Sequence, residues 1–167
     1  MKSLFRSQLT LLLLLLLVSS VSANEGIFKD LQGNERPIGS FTGNGNWLVL
    51  MIWAHDCRIC DQEVGAYEVF HHNSGNKNIR VLGLSIDGES KKQRAANFID
   101  RHDLTFPNLI GELPEVMDYY RSKTRSMFVG TPSFLLFDPT GEIKAVQVGP
   151  ASPEAIEKFI AKSEKNR

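Results

Sequence analysis

The sequence predicts an α/β domain: a central mixed β-sheet flanked by helices on both faces, with an N-terminal hairpin extension. Three observations carry this expectation. Trp47-Leu48-Val49-Leu50-Met51-Ile52-Trp53 is a continuous apolar run of strand length, as a central strand covered on both faces requires. Beyond it, strand-like and helical stretches alternate along the chain. Near the C-terminus, two strand-like segments flank Asp138-Pro139-Thr140-Gly141, a hairpin signal.

Taken in order, residues 1–23 read as a secretory signal peptide. Lys2 and Arg6 are its positive region, Leu9 to Val18 its apolar run, and Val21-Ser22-Ala23 the small residues at its cleavage site. An uncleaved run of this length would instead serve as a membrane tether. Residues 24–167 form the single remaining domain. Its first part, Asn24 to Asn46, is polar and turn-rich and suits a loose hairpin.

The apolar strand 47–53 ends at Ala54-His55-Asp56. From Cys57 a helical period through Val64, Tyr67, Glu68, Val69 and Phe70 runs to a stop at Asn73-Ser74-Gly75-Asn76. Ile79 to Ile86 reads as a buried strand, and Ser90 to His102 as an amphipathic helix with Ala95, Phe98 and Ile99 inward. Phe106 to Ile110 is a short apolar piece. Residues 114–128 carry one or two helical turns and a basic surface stretch of Arg121, Lys123 and Arg125; Tyr119 and Tyr120 beside it suit a solvated loop better than a partner-docking surface. Ser133 to Phe137 and Glu142 to Val148 are the hairpin strands. Ser152 opens a last helix with Glu154 and Ala155 in its first turn.

A chain of 167 residues with 42% hydrophobic and 23% charged content supports one ordinary core. Nineteen basic residues balance nineteen acidic ones, which argues against a nucleic-acid or anionic-membrane surface. The partner must be sought in chemistry.

That chemistry centres on the two cysteines, Cys57 and Cys60, in the motif Cys57-Arg58-Ile59-Cys60 between a buried strand and a helix. Backbone N–H groups at a helix start stabilise a thiolate, the species that attacks disulfides. Three roles compete for the pair. As a redox dithiol, Cys57 attacks a partner disulfide and Cys60 resolves the mixed disulfide. As a structural disulfide it would close so small a loop that it adds only about 2 kcal/mol. As a copper- or zinc-handling module it would combine Cys57 and Cys60 with a histidine such as His71 or His72, although no second C-x-x-C is present and both histidines fall where the helix should end. A peroxidase-type site is disfavoured because no Pro-x-x-x-Thr-x-x-Cys arrangement precedes Cys57.

The ordered set Ile52-Trp53-Ala54 before the dithiol, Val81 to Asp87, Leu104-Thr105-Phe106-Pro107, and Gly130-Thr131-Pro132 with Phe134 to Asp138 and Gly141 resembles the TlpA/ResA/DsbE-like branch of the thioredoxin superfamily, exported bacterial thiol-disulfide oxidoreductases. The resemblance runs from about Ile27 to Lys162. It implies a thioredoxin fold and a periplasmic or otherwise exported enzyme that exchanges the Cys57-Cys60 pair with thiols or disulfides of other exported proteins. A membrane electron carrier would be a second partner. No cofactor beyond the redox-active disulfide, no metal and a monomeric chain are expected.

Residue by residue, the resemblance implies that Pro132 is cis, with the Thr131 backbone beside Cys57 to pair with an extended partner segment. Glu63 takes the place of an acid near the buried sulfur, able to exchange a proton with it, a position that a solvated helix-face acid fills equally well. Trp53 would pack near the dithiol and touch substrate, a place that a core aromatic fills equally well. Asp56, Ile59 and Val64 stand where the family carries Trp, Pro and Pro. Met51 stands where cytoplasmic thioredoxins carry a buried acid. Arg58 and a protonated His55 favour a Cys57 thiolate and Asp56 opposes it. His102 is expected to be a surface or capping residue.

Overall fold

The computed structural model describes residues 26–74 and 78–165. The expected signal peptide lies outside them. Among the described residues no helix is long and apolar enough to cross a membrane.

Among the described residues, seven strands form one mixed sheet. In chain order they are β1 (Ile27–Asp30), β2 (Glu35–Pro37), β3 (Trp47–Trp53), β4 (Ile79–Ser85), β5 (Asn108–Ile110), β6 (Ser133–Phe137) and β7 (Ile143–Val148). Their order across the sheet is β2-β1-β5-β4-β3-β6-β7. β3 runs parallel to β4 and antiparallel to β6, and β1 with β2 makes the expected N-terminal hairpin. The helices are α1 (Arg58–Ser74), α2 (Lys92–Arg101), α3 (Leu113–Thr124) and α4 (Pro153–Lys165).

The period-2 geometry of β3 explains its composition. Trp47, Val49, Met51 and Trp53 enter one core cluster with Cys60, Val64, Tyr67 and Phe70 of α1, Ala95 and Phe98 of α2, and Ile160 of α4. Leu48, Leu50 and Ile52 enter the other, with Phe28, Ile38 and the α3 residues Val116, Tyr119 and Tyr120. A central strand that must satisfy two apolar layers has no room for a polar alternate, and all seven β3 residues are buried. Burial of each large side chain stabilises the fold by about 1.5–3 kcal/mol.

Two expectations are corrected. Residues 114–128 hold more than one or two helical turns, because Glu112 and Glu115 form a reciprocal capping box and Pro114 sits in the first turn, which together start a twelve-residue α3. Tyr119 and Tyr120 are therefore not in a solvated loop: both are almost wholly buried under the sheet. On α1, Val69 points to solvent, whereas Val64, Tyr67 and Phe70 are buried. The α4 start is as expected, with Ser152 Oγ accepting the Ala155 N–H at 3.2 Å.

Candidate active site

β3 and β4 end side by side, Trp53 opposite Ser85, so the segments that follow emerge at the same edge of the sheet. Ligand sites of open α/β sheets gather at such carboxyl ends. The first segment, Ala54 to Cys57, is a turn closed by the Cys57 N–H on the Ala54 carbonyl at 3.2 Å. α1 begins at the next residue.

Cys57 caps this helix. Its Sγ accepts the Cys60 N–H at 3.1 Å, the position a capping side-chain oxygen takes elsewhere. The same donor and the helix dipole stabilise negative charge on that sulfur once the pair is reduced. Cys57 and Cys60 form a disulfide with Cα atoms 5.2 Å apart. Their exposures differ: Cys60 is wholly buried, whereas Cys57 is half-buried and open to a partner. Asp56, Arg58 and Ile59 face solvent around it.

Pro132 and Thr131 reach the same edge from the far side of β3. Ile52 pairs with Ser133, the first residue of β6, so the preceding Thr131–Pro132 peptide lies at the end of β3 that leads into the dithiol turn. That peptide is cis. Pro132 is buried and Thr131 half-buried.

Glu63 lies one helical turn after Cys60 on α1. Its carboxylate accepts the Ala151 N–H, and its Oε2 is buried without a partner among the described residues. Burial raises its pKa above the ordinary carboxylate value, and the Ala151 bond only partly opposes this. One turn further on, Tyr67 donates its hydroxyl to the Ala151 carbonyl at 2.8 Å. Burial, then the charges of Glu63 and Glu154, hold that hydroxyl protonated well above its usual range.

Trp53 lies in the core beneath the dithiol turn. It is 1% exposed, stacks on Phe98 with ring centroids 4.5 Å apart, and donates its Nε1–H to Asn108 Oδ1 at 3.1 Å. His102 is the C-cap of α2 and bonds Asp61 of α1 at 2.9 Å. Asp61 is held below the usual carboxylate range by His102 first and Arg101 second.

The metal-handling arrangement does not assemble. Cys60 and His71 are eleven residues apart on one helix, about 16 Å at 1.5 Å per residue. Among the described residues, no cysteine joins a histidine in a cluster tight enough to share an ion.

Asp87 is the functional-site residue that the sequence did not single out. It follows β4, is buried, and accepts the His55 backbone N–H at 2.9 Å and the Ser85 hydroxyl at 2.6 Å on Oδ2, while Oδ1 meets His55 Nδ1 at 2.5 Å. Thirty-two residues separate the partners, and no local pattern announces such a pair.

The sequence model of the AhpC/TSA family matches residues 22–146. Among curated proteins, the chain is 26% identical over 140 residues to the thiol-disulfide oxidoreductase ResA of Geobacillus kaustophilus, covering 83% of this chain and 74% of that one. It is 22% identical over 121 residues to sporulation thiol-disulfide oxidoreductase A of Bacillus subtilis, covering 72% and 70%. Among solved structures, a thioredoxin-family thiol:disulfide interchange protein of Chlorobium tepidum superposes with a TM-score of 0.68 at 15% identity, covering 81% of this chain and 90% of that one. A secreted Mycobacterium tuberculosis disulfide oxidoreductase gives 0.65 at 15%, covering 86% and 99%. The sheet order, the helices on both faces and these superpositions make this a thioredoxin fold, and the family match over most of its length shows that the chain belongs to the AhpC/TSA family.

Proposed function

We infer that this chain is a thiol-disulfide oxidoreductase that exchanges its Cys57–Cys60 pair with cysteine pairs of other exported proteins. The observation that carries this is the asymmetry of the pair at the start of α1: an accessible sulfur that takes a backbone N–H, joined to a buried one. A structural bridge needs no such asymmetry, whereas attack followed by resolution does.

In the oxidising direction, a partner thiolate attacks Cys57 Sγ, the bond to Cys60 breaks, and the Cys60 thiolate leaves. A second partner thiol then displaces Cys57, so the partner loses two electrons and this protein gains them. In the reducing direction the steps reverse. Glu63, one turn from Cys60 and raised in pKa by burial, supplies or accepts the proton of the buried sulfur. Thr131, at the same edge, offers backbone groups to an extended partner segment, beside Pro132.

The peroxidase reading does not gain from the family name. Leu50 and Ala54 stand where Pro and Thr would complete the Pro-x-x-x-Thr-x-x-Cys arrangement ahead of Cys57. Export rests on the leader-like residues 1–23 and on likeness to the secreted M. tuberculosis protein. A membrane electron carrier is the partner class that would reset the pair.

Trapping tests the reading. With Cys60→Ser, a mixed disulfide through Cys57 should accumulate with exported cysteine-bearing proteins, visible as a reductant-sensitive adduct that Cys57→Ser abolishes. Equal adducts in both variants would refute substrate exchange.

A further inference from the structure

The His55–Asp87 pair remains unused by the exchange steps above, yet it is built at the mouth of the site. His55 is the first residue after Ala54 in the turn that delivers Cys57, and Asp87 comes from the neighbouring parallel strand's end. The Ile86 N–H bonds the Trp53 carbonyl at 3.0 Å, which ties the two emerging segments together.

The carboxylate of Asp87 is 2% exposed and is fixed from three sides: by the His55 backbone, by the Ser85 hydroxyl, and by His55 Nδ1. Its own N–H returns to Ser85 Oγ at 3.1 Å. A buried carboxylate with this set of donors acts as an orienting acceptor. With Nδ1 facing that carboxylate, Nε2 is the ring nitrogen left to exchange a proton. The His55 ring is 14% exposed, and its Nε2 makes no hydrogen bond to the described residues. The chemical logic is that of a nucleophile and base whose base is oriented by a third group. The charged neighbours are Asp56 on the same turn, Arg58 at the helix start, and Asp87 with Glu112 bridging its backbone.

We propose that His55 is the proton carrier for Cys57, held in tautomer and orientation by Asp87 and Ser85 as positioning residues. This rests on the exchange reading above. Nε2 takes the proton of the Cys57 thiol, and the thiolate attacks one sulfur of a partner disulfide. The partner S–S bond breaks as the Cys57–S bond forms, and the departing partner thiolate takes the proton from the imidazolium. Cys60 then completes the two-electron transfer. The sulfurs have separate proton carriers: His55 serves the accessible one and Glu63 the buried one.

The size of the effect is bounded. A thiol with a pKa of about 8.5 is only a few per cent ionised at pH 7, so a base that removes this penalty gains at most about thirtyfold there and nothing once the thiol ionises unaided.

The test follows the reaction of the reduced protein with oxidised glutathione from pH 5.5 to 9.5 in EDTA, by acid quench and thiol alkylation. Wild-type, His55→Gln, Asp87→Asn and Cys57→Ser proteins are compared. His55→Gln should react about tenfold more slowly at pH 6.5–7 and converge on wild type above pH 9. Asp87→Asn should show the same pH-dependent deficit. If Asp87→Asn does not fold, the His55→Gln profile decides alone, since that ring lies at the rim and not in either core. A His55→Gln rate equal to wild type at every pH, or a loss of the same size at every pH, would overturn the proposal. A wild-type protein that fails to react at all, or a Cys57→Ser protein that reacts as wild type, would instead refute the exchange reading itself.

Discussion

The carboxylate of Glu63 is bonded to the backbone N–H of Ala151 through one oxygen, while its Oε2 lies buried without a partner among the described residues. A buried acid held by one neutral donor is favoured in its protonated form. α1 thus places a proton-exchanging carboxyl one turn from the buried sulfur of Cys60.

Two consequences follow for Glu63→Gln. The pKa is raised on folding above the ordinary 4.5, so the folded state binds the proton more tightly, and the stability tied to this group is present below that value and lost as pH rises through the raised one. Gln should therefore raise Tm at pH 7–8 and leave it unchanged near pH 4. Exchange should nevertheless slow by about tenfold or more, with the mixed disulfide persisting, because the buried sulfur loses its proton carrier. Thermal melts at two pH values and quenched exchange kinetics check both.

Gly83 lies beneath the Trp53–Asn108 hydrogen bond. A Cβ there would overlap the Asn108 amide and approach Trp53 Nε1 to 2.9 Å, on a strand paired along its length with β3. Gly83→Ala should destabilise the protein by about 1–3 kcal/mol, read as a lower urea midpoint at unchanged slope.

Asp138 anchors the β6–β7 turn. Burial would push its carboxyl up, but the Thr140 hydroxyl, the N–H groups of Glu142 and Thr140, and Lys144 outweigh it and hold the pKa down to about 2. A lowered acid stabilises the fold above its unfolded value near 3.8, and that contribution disappears as pH falls toward 2. Asp138→Asn should lower Tm at pH 7 and converge on wild type near pH 2.

The parts that could be read from the sequence are those specified by local pattern. β3 announces itself because both its faces must be apolar, and the β6–β7 turn because Asp138, Pro139 and Gly141 each suit a turn position. α3 is longer than the one or two turns the local pattern suggests, because Glu112 and Glu115 cap its start and Pro114 fits its first turn. Tyr119 and Tyr120 looked like surface residues beside Arg121 and Lys123, yet adjacent helix positions can both be buried when a sheet covers a wide arc. Trp53 could not be assigned to core or contact surface until Phe98 and Asn108 were placed around it. The His55–Asp87 pair is wholly non-local: it exists only because β3 and β4 end in register.

The most direct test of the central claim is a redox titration of the full chain in glutathione or dithiothreitol buffers, with the fraction of Cys57–Cys60 disulfide read by alkylation and mass. Reversible exchange of the pair predicts a single two-electron transition, in which the oxidised-to-reduced ratio changes tenfold per about 29.6 mV. The transition should be lost in both Cys57→Ser and Cys60→Ser. A pair that stays oxidised across the whole range, or thiols that titrate as two independent groups, would contradict it.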